Sequence, residues 1–191
     1  MKKIILALIT IVSAASSSLN AQSLEMGDNM IHLGVGIGGK IGRYDFESQS
    51  PAFSFQYERT AVELGDVGIL TGGGYVGYKT FKNSGTTYGD YKFEEKWSYI
   101  TIGGRAGFHL TAIKNDKLDL YGGIMVSYNI LSYSYSDNDP YPDDSFSGAY
   151  ASTQTATVFV GARYFLTHGF GVYAELGSNI NLITAGLSFR F

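Results

Sequence analysis

The chain has 191 residues, a formal net charge of -3 and no cysteine. Its acidic balance argues against nucleic acid as a partner, because that binding normally requires a basic patch. Without cysteine the chain has neither disulfide bonds nor thiolate metal ligands, and it cannot carry a lipid anchor on a cysteine. The 25 glycines, 15 tyrosines and 12 phenylalanines, against only 3 prolines, are typical of strands and turns rich in aromatic residues.

The first 21 residues have the three-part layout of a secretory signal peptide. Lys2 and Lys3 precede an uncharged apolar run over residues 4–15, and a short polar stretch ends at Ala21. The apolar run is shorter than the roughly 20 residues that a membrane-spanning helix needs. We therefore predict a signal peptide over residues 1–21, cleavage after Ala21 and a single mature domain over residues 22–191.

Beyond this leader, no apolar run is long enough for a membrane-spanning helix. Only helices and closed barrels satisfy every backbone polar group inside a lipid bilayer. A membrane location of the mature chain therefore requires a β-barrel.

Apolar and polar residues alternate with a period of two along the mature chain, which is typical of strands with one apolar face. In chain order, the predicted strands cover residues 30–39, 52–57, 68–80, 98–110, 117–133, 153–166, 169–177 and 183–191. The pattern predicts an all-β fold, a transmembrane antiparallel up-and-down β-barrel of about eight strands.

The predicted connections alternate in length. Short turns are predicted at residues 60–66, 112–116 and 167–169, and longer connections at 40–51, 81–92 and 134–149, with a tight turn at 178–181. Membrane barrels have short periplasmic turns and longer outer loops. Both chain ends are therefore predicted to lie on the periplasmic side.

The last strand ends in Leu187-Ser188-Phe189-Arg190-Phe191, with Leu187, Phe189 and Phe191 on one face. This segment resembles the assembly signal of outer-membrane β-barrels, which the barrel assembly machinery reads. The mature chain, with stretches such as Gly73-Gly74-Tyr75-Val76-Gly77-Tyr78, also resembles the small porin-like barrels related to OmpA and OmpX, of a type common in Bacteroidota. The resemblance implies the outer membrane of a Gram-negative bacterium, with outer-membrane lipid and lipopolysaccharide as surroundings.

Six charged residues lie on the strand face opposite to the aliphatic residues: Glu58, Lys79, Arg105, Arg163, Glu175 and Arg190. A barrel of about eight strands is just wide enough for side chains to fill it. Buried charges must be paired or hydrated, so we predict a salt-bridged plug in which the three arginines share the two glutamates. The alternative is a narrow path for small solutes or ions. A wide pore is disfavoured, because water-filled channels have 16 or more strands.

One predicted outer loop concentrates carboxylates, at Asp137, Asp139, Asp143 and Asp144. Such oxygen clusters can bind hard cations such as calcium, but the pattern lacks the glycine and terminal glutamate of an EF-hand loop. We predict a solvated acidic loop, with these four residues as the alternative metal site and no other cofactor.

An enzyme is the third alternative, because some eight-stranded outer-membrane barrels modify lipid A with a histidine, a serine and a carboxylate. None of the three histidines, His32, His109 and His168, lies in a His-x-Ser pattern. All three are predicted near the periplasmic rim, away from the outer leaflet that holds lipid A. We therefore predict a non-enzymatic structural or interaction protein, with association into a larger outer-membrane complex as a further option.

A soluble ligand-binding barrel of the lipocalin type is a further alternative. Such a barrel directs its apolar residues inward and needs a solvated exterior. Here the charges lie on the face opposite to the aliphatic residues, which favours the membrane barrel.

Deletion of Phe191 tests the assembly signal. We expect the fraction of chain assembled in the outer membrane to fall several-fold, while protein that is already folded keeps its stability. The measurement compares membrane-assembled protein between wild type and the deletion variant after equal expression. Equal assembly of the two would contradict the assignment.

Overall fold

The computed structural model describes residues 24–39, 48–86, 92–112, 115, 117–137, 147–177 and 180–191. The signal peptide predicted at residues 1–21 lies outside the described residues and stays a prediction. In the described ranges, no helix is long and apolar enough to cross a membrane.

The described residues form nine strands. In chain order they are β1 (Asn29–Ile37), β2 (Ser48–Gln49), β3 (Ala52–Glu63), β4 (Gly68–Thr86), β5 (Lys92–Leu110), β6 (Leu118–Asp137), β7 (Ser147–Phe165), β8 (Phe170–Gly177) and β9 (Ile183–Arg190).

Eight of these strands close into a ring. Each long strand pairs antiparallel with its neighbour in sequence, β4 pairs with β5, and β1 pairs with both β3 and β9. The short strand β2 pairs only with β4, at Phe81 and Lys82. The predicted fold, an antiparallel up-and-down barrel of about eight strands, is confirmed.

Several predicted boundaries were wrong, because the strands are longer than predicted. Residues 81–86, 134–137 and 147–149 belong to strands, and β3 continues to Glu63. The extension has a physical reason: the alternation of aromatic and polar residues continues through Phe81, Trp97 and Tyr133, which stand opposite one another in β4, β5 and β6.

The barrel is apolar outside and polar inside. Val158 is 68% exposed on the outer face, whereas Arg163 is 1% exposed in the interior. This polarity is the reverse of that of a soluble protein, and it matches a barrel surrounded by lipid. Because successive side chains of a strand point to opposite sides, the same strands form both the apolar outer face and the polar inner face.

The two ends of the barrel differ. Residues 24–28, the turns 64–67 and 166–169, residues 111, 112, 115 and 117 between β5 and β6, and Phe191 lie at one end, called here the termini end. The opposite end, called the loop end, carries the connections from β4 to β5 and from β6 to β7. Short turns face the periplasm in membrane barrels, so the termini end is the end to which the predicted periplasmic location of the chain ends applies, and that location stays a prediction.

Candidate functional site

The interior of the barrel contains all six charged residues that parity assigned to it. Glu58, Lys79, Arg105, Arg163, Glu175 and Arg190 are each at most 9% exposed, and they come from six different strands. Because each lies at an inward position of its strand, no loop is needed to bring them together. The structure separates them into several groups along the barrel.

Arg163 binds two carboxylates at once. Its Nη2 lies 3.0 Å from Glu58 Oε2, and its Nη1 lies 3.1 Å from Asp119 Oδ2. The three residues come from β7, β3 and β6, so the guanidinium connects opposite walls of the barrel. Hydrogen-bonded charge pairs of this kind are the form in which buried charges are tolerated.

Two histidines complete this group, which we call the carboxylate–histidine cluster: His32, Glu58, His109, Asp119 and Arg163. His109 lies between the carboxylates, with Nδ1 2.9 Å from Asp119 Oδ1 and Nε2 3.2 Å from Glu58 Oε1. His32 Nε2 lies 3.3 Å from Glu58 Oε2. All five side chains are buried, so the cluster is a closed network of polar contacts.

Arg105 and Glu175 form a second group. Arg105 Nη2 lies 2.7 Å from Glu175 Oε2, and its Nη1 donates to Gln56 Oε1 at 2.6 Å. The hydroxyl of Tyr121 donates to the same glutamate at 3.3 Å. The guanidinium also lies 3.9 Å from the ring centroid of Phe159, a cation–π contact.

The remaining two cations have other partners. Lys79 donates to the carbonyl oxygens of Gly38 and Ile180, the latter at 3.0 Å, near the loop end. Arg190 donates from Nε to the carbonyl of His168 at 2.9 Å, and its Nη1 lies 3.8 Å from Asp28. These contacts lie at the termini end, where Arg190 is the last residue of β9, and the sharing of Glu58 or Glu175 by Arg190 stays a prediction.

Sequence reasoning missed Asp119, which holds both Arg163 and His109. The signal was present: Asp119 lies within the predicted strand 117–133 and has the same parity as Tyr121, which is buried in the interior. It also missed Asp28, which lies before the first strand, where parity gives no information.

The contacts of His109 have the order of a catalytic triad, since its Nε2 lies 3.2 Å from the hydroxyl oxygen of Thr71 and its Nδ1 contacts Asp119. The hydroxyl of Thr71, however, donates to Glu58 at 2.7 Å, so its proton is directed away from the imidazole. Thr71 is 4% exposed and His109 is 1% exposed. In this geometry both groups are buried hydrogen-bonding residues of the barrel interior.

The other predicted candidates lie elsewhere. His168 is in the turn after β7 and contacts Arg190. Asp137 is the last residue of β6, and Asp139, Asp143 and Asp144 lie outside the described residues. Within the part of the chain that the structure covers, no group of three or more histidine, aspartate or glutamate side chains could hold a metal ion.

At the loop end, β4, β5, β6 and β7 continue beyond the rest of the barrel as a four-stranded sheet, called here the protruding wall. Its inner face is aromatic: Trp97 packs on Tyr133 with ring centroids 5.3 Å apart, and Phe93 stacks on Tyr135 at 6.2 Å. Aromatic cross-strand pairs stabilise this sheet, beside which the only further strand among the described residues is the two-residue β2, on β4.

The outer edge of this wall is the side of β7. β8 pairs with β7 only from Phe159 to Phe165, and within the described residues no strand pairs on that side between Ser147 and Val158. The amide of Phe165 donates to the β6 side, and amide direction alternates along a strand. The amides of Gln154 and Ala156 therefore point to the open side.

Comparisons with known proteins give a fold and nothing finer. No protein-family model matches the chain, and no curated protein sequence matches it. Its structure is similar to that of Ail, the attachment invasion locus protein of Yersinia pestis, in complex with the heparin analogue sucrose octasulfate. The TM-score is 0.50 at 15% identity, over 87% of this chain and 100% of that chain.

Two further structures are similar at lower scores. A second structure of Ail has a TM-score of 0.48 at 15% identity over 87% of this chain and 100% of that chain. The translocator domain of the autotransporter NalP from Neisseria meningitidis has a TM-score of 0.40 at 13% identity, over 97% of this chain and 95% of that chain. On the similarity to Ail at a TM-score of 0.50, the chain has the fold of an outer-membrane β-barrel protein.

The pair of Arg105 and Glu175 offers a direct stability test. The substitution Glu175→Gln leaves a buried guanidinium without its counter-charge, so we expect a loss of about 3 to 5 kcal/mol in the free energy of unfolding. Arg105→Met together with Glu175→Gln removes both charges and should cost much less than the two single changes added together. Urea unfolding from lipid bilayers measures all three variants.

The exposed pair of Lys82 and Glu94, 2.9 Å apart on the protruding wall, is the matched control. Both side chains are more than two-fifths exposed, so Glu94→Gln should cost less than about 1 kcal/mol. A Glu175→Gln variant as stable as the Glu94→Gln variant would show that Glu175 is solvated.

Proposed function

We propose that this chain is a non-enzymatic protein of the Gram-negative outer membrane that uses its protruding wall to bind partners outside the cell. The barrel serves as a rigid anchor, and its exported precursor is delivered through the predicted signal peptide and the barrel assembly machinery. The open edge of β7 is the observation that carries the proposal. Outer-membrane lipid and lipopolysaccharide surround the anchor.

The edge has the properties of a strand-addition site. An unpaired strand edge presents a row of amide and carbonyl groups to which another extended chain can bind. Proteins usually protect such edges with charges, prolines or short strands. The segment from Ser147 to Val158 contains no charged residue and no proline, so none of these protections is present.

The lumen supports an anchor rather than a channel. The carboxylate–histidine cluster and the pair of Arg105 and Glu175 cross the interior, and their side chains are buried. A barrel of this strand number is filled by its own side chains. The narrow-channel alternative would require these networks to open.

The similarity to Ail agrees with an attachment role, although it concerns the fold alone. A polyanion of the kind bound by Ail is not the partner we propose, since this chain is acidic with a net charge of -3. An extended protein segment fits the edge better, because strand addition uses backbone groups and needs no basic surface.

Planar-bilayer recordings test the anchor. We expect no conductance steps above the bare bilayer from the wild-type protein, with a 16-stranded porin in the same bilayer as the positive control. Reproducible steps that scale with the amount of protein would favour the channel alternative instead.

Ala156→Pro tests the edge, because it removes an amide that points to the open side and leaves the ladder with β6 intact. Ala156→Val, which keeps the amide, is the matched control. We expect bacteria that display the wild type or the valine variant to adhere to surfaces coated with extracellular proteins, and the proline variant to lose most of this adherence. Equal adherence of all three variants would refute edge recognition.

A further inference from the structure

The lipid-facing surface at the termini end contains a groove of about 420 Å³. It is lined by Met26, Gly27, Arg59, Thr60, Ala61 and Gly72. We propose that this groove binds one glycerophospholipid of the periplasmic leaflet, with the phosphate on Arg59. The inference rests on the outer-membrane location proposed above, but not on the role of the protruding wall.

Hydrogen bonds between the turn of residues 25–28 and β3 hold the groove in shape. The turn of residues 25–28 passes over β3, where the hydroxyl of Thr60 donates to the Glu25 carbonyl at 2.6 Å and the amide of Thr60 donates to the Asp28 carbonyl at 3.0 Å. Gly27 has a φ of 90°, a conformation that favours glycine in such a turn. This turn forms one wall of the groove.

Arg59 is the only charged residue of the groove lining. Its position on β3 has outward parity, and the residue is exposed, between the buried Glu58 and Thr60. Among the described residues no carboxylate forms an ion pair with its guanidinium. A guanidinium at this location can bind the two oxygens of a phosphodiester in a bidentate manner.

The level of Arg59 matches the headgroup region. It stands opposite Asn29, the first residue of β1, and the backbone of Asn29 bonds to that of Phe191 at the chain end. The hydroxyl of Tyr57 donates to the Asn29 side chain at 2.7 Å. Tyrosine at this position is typical of the aromatic girdle that marks the membrane interface.

The floor of the groove is Gly72, which stands opposite Arg59 in the pairing of β3 with β4. A Cβ added to Gly72 would meet nothing within 4 Å. The missing side chain therefore leaves a depression beside Arg59 on the outer surface of the barrel. Ala61 and Met26 lie beside this depression. Together they form an apolar surface that the glycerol and the upper acyl chains of the lipid can contact below the phosphate.

A comparison of substitutions at Gly72 and Gly74 tests the proposed lipid site. Gly72→Val places a side chain in the groove at a position where a Cβ meets no atom within 4 Å, and valine is a favourable residue in a strand. Gly74→Val is the matched control, since it adds the same side chain two residues further along β4, where the nearest atom lies at 3.9 Å and the groove is not affected. Arg59→Gln removes the charge, and Arg59→Lys retains it.

The protein is purified from outer membranes in mild detergent and titrated with phosphatidylglycerol and phosphatidylethanolamine, with bound lipid counted by native mass spectrometry. We expect one phospholipid per barrel for the wild type and the Gly74→Val variant. Gly72→Val and Arg59→Gln should each weaken binding about tenfold, as for the loss of one charge-assisted contact, with partial recovery in Arg59→Lys.

Several outcomes would overturn the site. These are equal losses in Gly72→Val and Gly74→Val, wild-type affinity in Arg59→Gln, preferential binding of lipid A, or displacement of the phospholipid by inorganic phosphate at equal concentration. All variants should retain the heat-dependent gel mobility of a closed barrel, which separates loss of lipid from loss of fold. Loss of adherence with intact lipid binding would reject only the proposed role of the protruding wall.

Discussion

The structure depends on one constraint: inside lipid, every backbone amide and carbonyl must have a partner within the protein. A sheet meets this requirement only when its first and last strands pair, as β1 and β9 do here over eight residue pairs. The constraint ends where the lipid ends. The protruding wall has an open side along β7 because water can solvate the edge there. The same requirement for backbone hydrogen bonds thus closes the sheet in lipid and permits an open edge in water.

Closure also determines what the interior must contain. Outward positions hold most of the aliphatic residues, and the inward positions of the same strands hold the buried charged and hydroxyl residues together with aromatic residues such as Tyr121 and Phe159. Charges in so narrow a space are tolerated only when they are paired, and Arg163 with Glu58 and Asp119 shows how one guanidinium can hold residues from three strands. Each such contact requires a particular strand register, since a shift of one residue would turn its members toward the lipid.

The fold could be predicted from the sequence because alternation with a period of two is a local property. It can be recognised in each strand without knowing which strand pairs with it. Parity likewise assigns Arg105 and Glu175 to one face, but it does not say that they meet, since their contact depends on the registers of all strands between β5 and β8. Strand ends were predicted less well: Phe81 was assigned to a loop, and its pairing with Trp97, which depends on the neighbouring strand, makes it part of β4. The groove at Arg59 was not predictable, because it depends on a turn of residues 25–28 folding back over β3.

The unequal strand lengths have a consequence for the surrounding bilayer. β1, β8 and β9 have only eight or nine residues, which span about 19 Å of membrane when tilted by about 45°. The apolar band of an outer-membrane barrel is about 25 Å tall. On this side the bilayer must become thinner or the barrel must lean toward its short strands, whereas β4 to β7 are long enough to span without adjustment. The protein is therefore expected to deform the membrane asymmetrically, which would favour neighbours whose own apolar band is short.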